Sequence, residues 1–159
     1  MSRGISNALT TINRNGMVDR RQNLKGIGMI RVILDTNVFV GAAFKRQSAS
    51  ARILQAVRDR DLALIWDEQT QGETENVLTK IPRTSWEAVS DLFLDQNRWE
   101  GGTNLMAVQF VSDPEDRKFA ALSRATGALL VSSDSDLLEH RSLLDVCTPT
   151  ECLEQVDFK

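Results

Sequence analysis

From position 29 onward, short apolar runs alternate with stretches of helical periodicity. Ile30–Leu34 is apolar except for Arg31, the pattern of a central strand covered on both faces. Val38–Phe44 stays apolar and reads as the start of a helix or turn at the sheet's edge. Ser48 to Arg60 has Ile53, Leu54 and Val57 on one helical face, with Ser48 placed to cap it. Leu62–Trp66 predicts a second strand. Asp67 then caps a helix to about Lys80, ended by Pro82. Ser85 to Trp99 predicts a further helix with Trp86, Val89, Leu92 and Phe93 facing inward, closed by Gly101 and Gly102. Leu105–Val111 reads as a third strand. Pro114 starts a helix carrying Phe119, Ala120 and Leu122, with Gly127 as its C-cap. Leu129–Val131 predicts a fourth strand, Asp136–His140 a short helix, Val146–Thr148 a fifth strand, and Pro149 to Leu153 a last helix. Strands alternating with helices imply an α/β fold: one domain over residues 29–159, with a central parallel sheet of about five strands and helices on both faces.

Residues 1–28 break this pattern. Apart from helix-like spacing of Ile5, Leu9 and Ile12, they are expected to be a flexible extension, or residues ahead of a true start at Met29. They carry five basic side chains (Arg3, Arg14, Arg20, Arg21, Lys25) against Asp19, which leaves 14 basic and 21 acidic residues beyond position 28. An acidic body argues against tight, sequence-independent nucleic-acid binding, which rests on neutralising phosphates. No apolar run approaches the ~20 residues of a membrane-spanning helix. Cys147 and Cys152 have no metal-binding spacing and no His or Cys to complete a zinc set; they read as two reduced thiols of a cytoplasmic protein.

The chemistry concentrates in acids at strand ends. Asp35 follows the first strand, in Asp35-Thr36-Asn37; it could cap the next helix or face the crevice where open α/β sheets bind ligands. Thr36 and Asn37 add a hydroxyl and an amide at the same tip. Asp113, ahead of Pro114, reads as an N-cap. Asp116 sits in the first turn of the helix and could complete the cap or reach the crevice. Asp134 follows the fourth strand and is the preferred ligand there, with Asp136 secondary and Ser132 and Ser133 offering hydroxyls. On the Asp67–Lys80 helix, Glu73 or Glu75 could face the sheet; Glu73 lies one turn before Val77, at the edge of the apolar stripe. Carboxylates converging in one crevice form a hard-oxygen site suited to Mg²⁺ or Mn²⁺. Lys45, Arg46 and Arg52 could supply a basic rim for phosphate contacts. His140, the single histidine, reads as a surface residue, and Trp66, Trp86 and Trp99 read as core. There is no Walker A motif and no G-x-G-x-x-G.

These pieces resemble the PIN domain family. Val-Ile-Leu-Asp-Thr-Asn-Val-Phe-Val at Val32–Val40 resembles its opening. Asp113-Pro-Glu-Asp-Arg-Lys-Phe119 and Leu130-Val-Ser-Ser-Asp-Ser-Asp-Leu-Leu138 are similar to its two later acidic motifs, and Thr148-Pro-Thr-Glu-Cys-Leu153 to its last helix start. The resemblance runs from about Ile30 to Leu153 and is closest to VapC-like toxins of bacterial toxin–antitoxin pairs. It implies a Mg²⁺- or Mn²⁺-dependent endoribonuclease with Asp35, Glu73, Asp116 and Asp134 as catalytic acids and metal ligands. It also implies RNA as substrate and a cognate antitoxin as partner; a homodimer is a candidate assembly that the residues leave open. Ser132 stands where the family often has Thr, which keeps the hydroxyl. The first 28 residues have no counterpart in the family pattern, and Gly72 beside the second acid is unusual. Two other readings compete. One is a PIN-like module that binds RNA or a partner without cleaving. The other is a haloacid-dehalogenase-type phosphatase, which needs a second Asp where this chain has Asn37.

Overall fold

In the computed structural model, the described residues are 29–156, together with two short strands in the leader, β1 (Thr11–Ile12) and β2 (Val18–Asp19), which pair antiparallel. The expectation for the rest of residues 1–28 lies outside the described residues.

The domain starts with β3 (Ile30–Leu34), whose residues are buried except Arg31. It runs into α1 (Thr36–Phe44). Then α2 (Ala49–Arg58) begins where the Ser48 side chain accepts the amide of Ala51, as its position before an amphipathic run predicts. After β4 (Leu62–Leu64), α3 (Glu68–Lys80) is opened by a reciprocal cap between Asp67 and Thr70. A short 3₁₀ turn, Pro114–Asp116, leads into α4 (Arg117–Thr126), which Gly127 closes at φ 77°, a left-handed value that favours glycine. The chain ends through β5 (Leu129–Val131), α5 (Ser135–Leu138), β6 (Val146–Cys147) and α6 (Pro149–Glu154).

The four strands form one parallel sheet in the order β4-β3-β5-β6, with Val32 opposite Leu64 on one side and Leu129 on the other. Each face carries its own core. Ile30, Val32, Leu34, Leu129 and Val131 pack with α1, α2, α3 and α6 through Val38, Ile53, Val57, Leu78 and Cys152. Ile33, Leu130 and Val146 pack with α4 and α5 through Phe119, Leu122 and Leu137. The chain steps from β3 to β4, then crosses back over β3 to β5. The strand order therefore reverses between β3 and β5, the topological switch point at which such sheets bind ligands. Asp35 and Ser132 follow directly from these two strands, and the amide of Asp35 bonds to the carbonyl of Val131 at 3.0 Å.

Two expected elements are different. The segment read as a third strand is a 3₁₀ turn over Leu105–Val108, opened by the side chain of Asn104, so the sheet has four strands rather than five. Its buried residues are Val108 and Val111, three apart, while Leu105 and Met106 are exposed; a strand would alternate. The segment from Ser85 to Trp99 is not an α-helix but a turn followed by 3₁₀ turns at Ser90–Leu92 and Asp95–Asn97. Its apolar residues do face inward, with Phe93 against Phe39, Trp66 and Trp86. The backbone is instead fastened to Trp66, whose indole donates to Leu94 and whose main chain pairs with Asn97 and Trp99. Both cysteines are buried and free, as the sequence predicts. Among the described residues, no helix is long and apolar enough to cross a membrane.

Candidate metal centre

Asp35 ends β3 and stands at the N-cap position of α1, yet its side chain makes no cap hydrogen bond. It is 3% exposed and accepts a 2.7 Å hydrogen bond from the Ser132 hydroxyl. Burial pushes its carboxyl above the usual range; the Ser132 bond pulls it back, and the charge of Asp134 adds to the rise. Ser132, fully buried, also accepts the amide of Asp134 at 2.9 Å, so one hydroxyl fixes the two strand ends against each other. Ser132→Ala is expected to cost about 1–3 kcal/mol, because the Asp35 carboxylate and the Asp134 amide both lose a partner away from water. Urea unfolding would measure it, and a cost near zero would mean that the pairing is not needed.

The second wall of the crevice is the 113–116 turn. Asp113 caps it, accepting the amide of Glu115 at 2.9 Å. Asp116 is buried, 8% exposed, and its Oδ2 has no hydrogen-bond partner. Its carboxyl is pushed up to about 8, first by burial, then by the adjoining Asp134 carboxyl and the charges of Asp35, Asp134 and Asp113. Asp134 uses Oδ1 to cap α5 through the amide of Asp136. One oxygen of each of Asp113, Asp116 and Asp136 lies within 4.8 Å of the others.

The structure thus brings Asp35, Asp116 and Asp134 into mutual electrostatic range and adds Asp136 and Asp113 to the same cluster. Asp136 ranked second to Asp134 by sequence, and Asp113 read only as a cap. The Asp113-x-x-Asp116 spacing across one turn was the signal that both could point to one place. Asp134 shows that capping and facing the crevice are compatible, since a carboxylate has two oxygens.

Glu73, half-buried on α3, is engaged by the Lys118 ammonium at 3.4 Å. Glu75 accepts from Gln71 within its own helix, at 2.9 Å. Thr36 is buried and its hydroxyl pairs with that of Thr74 on α3 at 3.0 Å. Asn37 and Ser133 are exposed. Lys45, Arg46 and Arg52 are exposed but stand away from the aspartates: Asp35 and Lys45 are the N-cap and C-cap at opposite ends of α1, whose nine residues span about 14 Å. Arg52 lies in the first turn of α2, which starts from that far end. His140, expected on the surface, is half-buried with its ring edge against Phe110, centroids 5.0 Å apart. Trp66 is buried, and Trp86 and Trp99 pack against the two cores.

A buried, unpartnered carboxylate oxygen among four other carboxylates is costly as it stands and is relieved by a cation. The donor set is oxygen throughout, which fits a hard divalent ion such as Mg²⁺ or Mn²⁺.

Comparison with known proteins agrees with the geometry. Residues 31–136 match the family model described as PIN domain. The chain belongs to the PIN domain family. A solved structure, that of PAE2754 from Pyrobaculum aerophilum, is 18% identical with a TM-score of 0.51, covering 80% of this chain and 96% of its own. At that identity the likeness concerns the fold. No curated protein matches the chain. The fold is thus the nuclease fold of PIN domains, with an acidic cluster at the switch point of its sheet.

Proposed function

We propose that this protein is a divalent-metal-dependent endoribonuclease that hydrolyses RNA phosphodiester bonds at the aspartate cluster. The observation that carries this reading is Asp116: buried, unpartnered at Oδ2, and set among the carboxylates of Asp113 and Asp136. Asp35, Asp116 and Asp134 would hold the metal, with Asp113 and Asp136 at its border. A bound Mg²⁺ or Mn²⁺ supplies Lewis-acid activation of water and neutralises charge on the phosphate. The chain's own residues do the positioning. Ser132 fixes the Asp35 carboxylate, and the Asp113 cap and the Pro114 turn set the position of Asp116. Burial on the sheet ends keeps Asp35 and Asp116 away from bulk water. The resemblance of the acidic motifs to those of VapC-like toxins extends the proposal to a role as the toxin of a toxin–antitoxin pair, with an antitoxin protein as partner.

The reading is tested by incubating the purified protein with a 5′-labelled RNA and Mn²⁺. Cleavage that leaves 5′-phosphate and 3′-hydroxyl ends is expected, and it should stop in EDTA and in Asp35→Asn. Equal products from wild type and Asp35→Asn would show that the activity arises elsewhere. RNA binding without cleavage would make the protein a silent binding module.

A further inference from the structure

On the face of the sheet that carries α4, two cavities meet at one tryptophan. The first, of about 500 Å³, lies between α4 and the loop after Trp99, and is lined by Trp99, Asn104, Ala121, Arg124 and Ala125. The second, of about 230 Å³, is lined by Trp99 with Arg31, Gln96, Asn97 and Arg98, beside the edge strand β4. Trp99 is half-buried and firmly set. Its amide donates to the Trp66 carbonyl at 2.7 Å and its indole to the Gly102 carbonyl at 2.8 Å. A Cβ at Gly101 would run into the six-membered ring, so the indole lies directly on glycine backbone. Arg124 is steadied by donating to the Leu143 carbonyl at 2.6 Å and by lying over the Phe110 ring, and it keeps further donors. The Asn104 side-chain oxygen accepts the Met106 amide, which leaves its NH₂ group to donate. Among the described residues, no carboxylate lines either cavity, although acids outnumber basic residues 21 to 14 beyond position 28.

We propose that this groove binds single-stranded RNA, with one base stacked on Trp99 and its phosphate on Arg124. The proposal rests on the nuclease reading for RNA as the substrate, and adds a subsite away from the aspartates that holds it. Aromatic rings beside arginines bind single strands in this way, because every base has a stacking face. A duplex keeps those faces covered by its own pairs. The groove also leads to the aspartates. Arg117, Ala121 and Arg124, at i, i+4 and i+7, share one face of α4, which runs about 12 Å from the Asp116 turn to the cavity. The cavity between α1 and α2 has arginines too, Arg46, Arg58 and Arg83. Its aromatic, Phe39, is only 2% exposed and offers no ring face to a base. An acidic domain with one acid-free groove neutralises few phosphates, so binding here depends more on stacking than on charge.

The test measures binding of a fluorescein-labelled oligoadenylate to the full chain in EDTA, where metal-dependent cleavage is off. Trp99→Ala is expected to weaken binding by roughly 10-fold or more, and Trp99→Phe to keep most of the affinity. Arg124→Gln should weaken it as well and lower the log–log salt slope by about 0.7, the share of one phosphate on a single strand. A blunt RNA duplex should bind roughly 10-fold more weakly than the single strand. Urea unfolding verifies that each variant folds. With Mn²⁺ present, Trp99→Ala should raise KM on RNA and leave kcat and Mn²⁺ affinity near wild type. Equal affinities of wild type, Trp99→Ala and Arg124→Gln would overturn the inference and leave the nuclease reading in place. So would a duplex bound as tightly as the single strand. Adenosine 5′-monophosphate that binds more tightly than the oligomer would make this a free-nucleotide site and overturn it too. RNA held through Trp99 but never cut by the wild type with Mn²⁺ would uphold the groove and remove the nuclease reading instead.

Discussion

Replacing Asp116 by Asn is expected to lower metal-dependent RNA cleavage by roughly 100-fold or more, beyond what loss of a supporting group costs a metal site. The same variant should also stabilise the metal-free protein at alkaline pH. Both follow from one buried carboxyl. Its ordinary value of 3.8 is pushed up to about 8, chiefly by burial and by Asp134. Between about pH 4 and pH 8 the folded protein keeps a proton that the unfolded chain has lost. Stability therefore falls as pH rises through that window, with a slope on the order of 1 kcal/mol per unit, and levels off above it. Asp35, raised in the same direction, adds to the fall. Asn carries no charge, so Asp116→Asn should flatten most of the slope. Urea midpoints at pH 5, 7 and 8.5 in EDTA would measure it. Parallel curves for the two proteins would show that Asp116 is not the strained group.

Phe119→Ala should be the most destabilising single truncation, at about 3–5 kcal/mol. Phe119 is 1% exposed and is the largest fully buried side chain among the described residues. It anchors α4 to Ile33 and Leu130 on the face of the sheet opposite α1. At this chain length each kcal/mol corresponds to about 2–4 °C, so a fall in melting temperature of roughly 10 °C is expected. Because the Asp116 turn runs directly into α4, loosening the helix should also weaken Mn²⁺ binding. A loss below about 1 kcal/mol would mean that the site can collapse around the missing ring.

What the sequence reveals here is mostly what local chemistry decides. The Ser48 and Asp67 caps, Pro114 and Gly127 each act within a few residues of themselves, and each lies at the helix end that it predicts. Apolar runs bounded by such signals were strands wherever both faces became covered. The misread segments, Ser85–Trp99 and Leu105–Val111, are those whose backbone is decided by distant partners. Trp66 fastens the first, and the second needs only Val108 and Val111 inward. The site divides in the same way. Asp35 and Asp134 are placed by the strands before them, and Asp116 by its turn. Nothing local could tell that Asp136 comes within 4.8 Å of Asp113 and Asp116. Nor could it tell that Glu73 finds Lys118 across 45 positions of chain. Lys45, Arg46 and Arg52 looked near Asp35 along the chain, but a helix carries them away.

On the proposed function, the aspartates at the switch point between β3 and β5 hold a divalent cation. Calorimetric titration of the metal-free protein with Mn²⁺ at pH 7, in two buffers of different ionisation enthalpy, tests it most directly. The predicted result is saturable binding to the wild type with net proton release, as Asp116 loses its proton, and loss of both signals in Asp116→Asn. Absence of binding by the wild type, or binding that Asp116→Asn leaves unchanged, would contradict it.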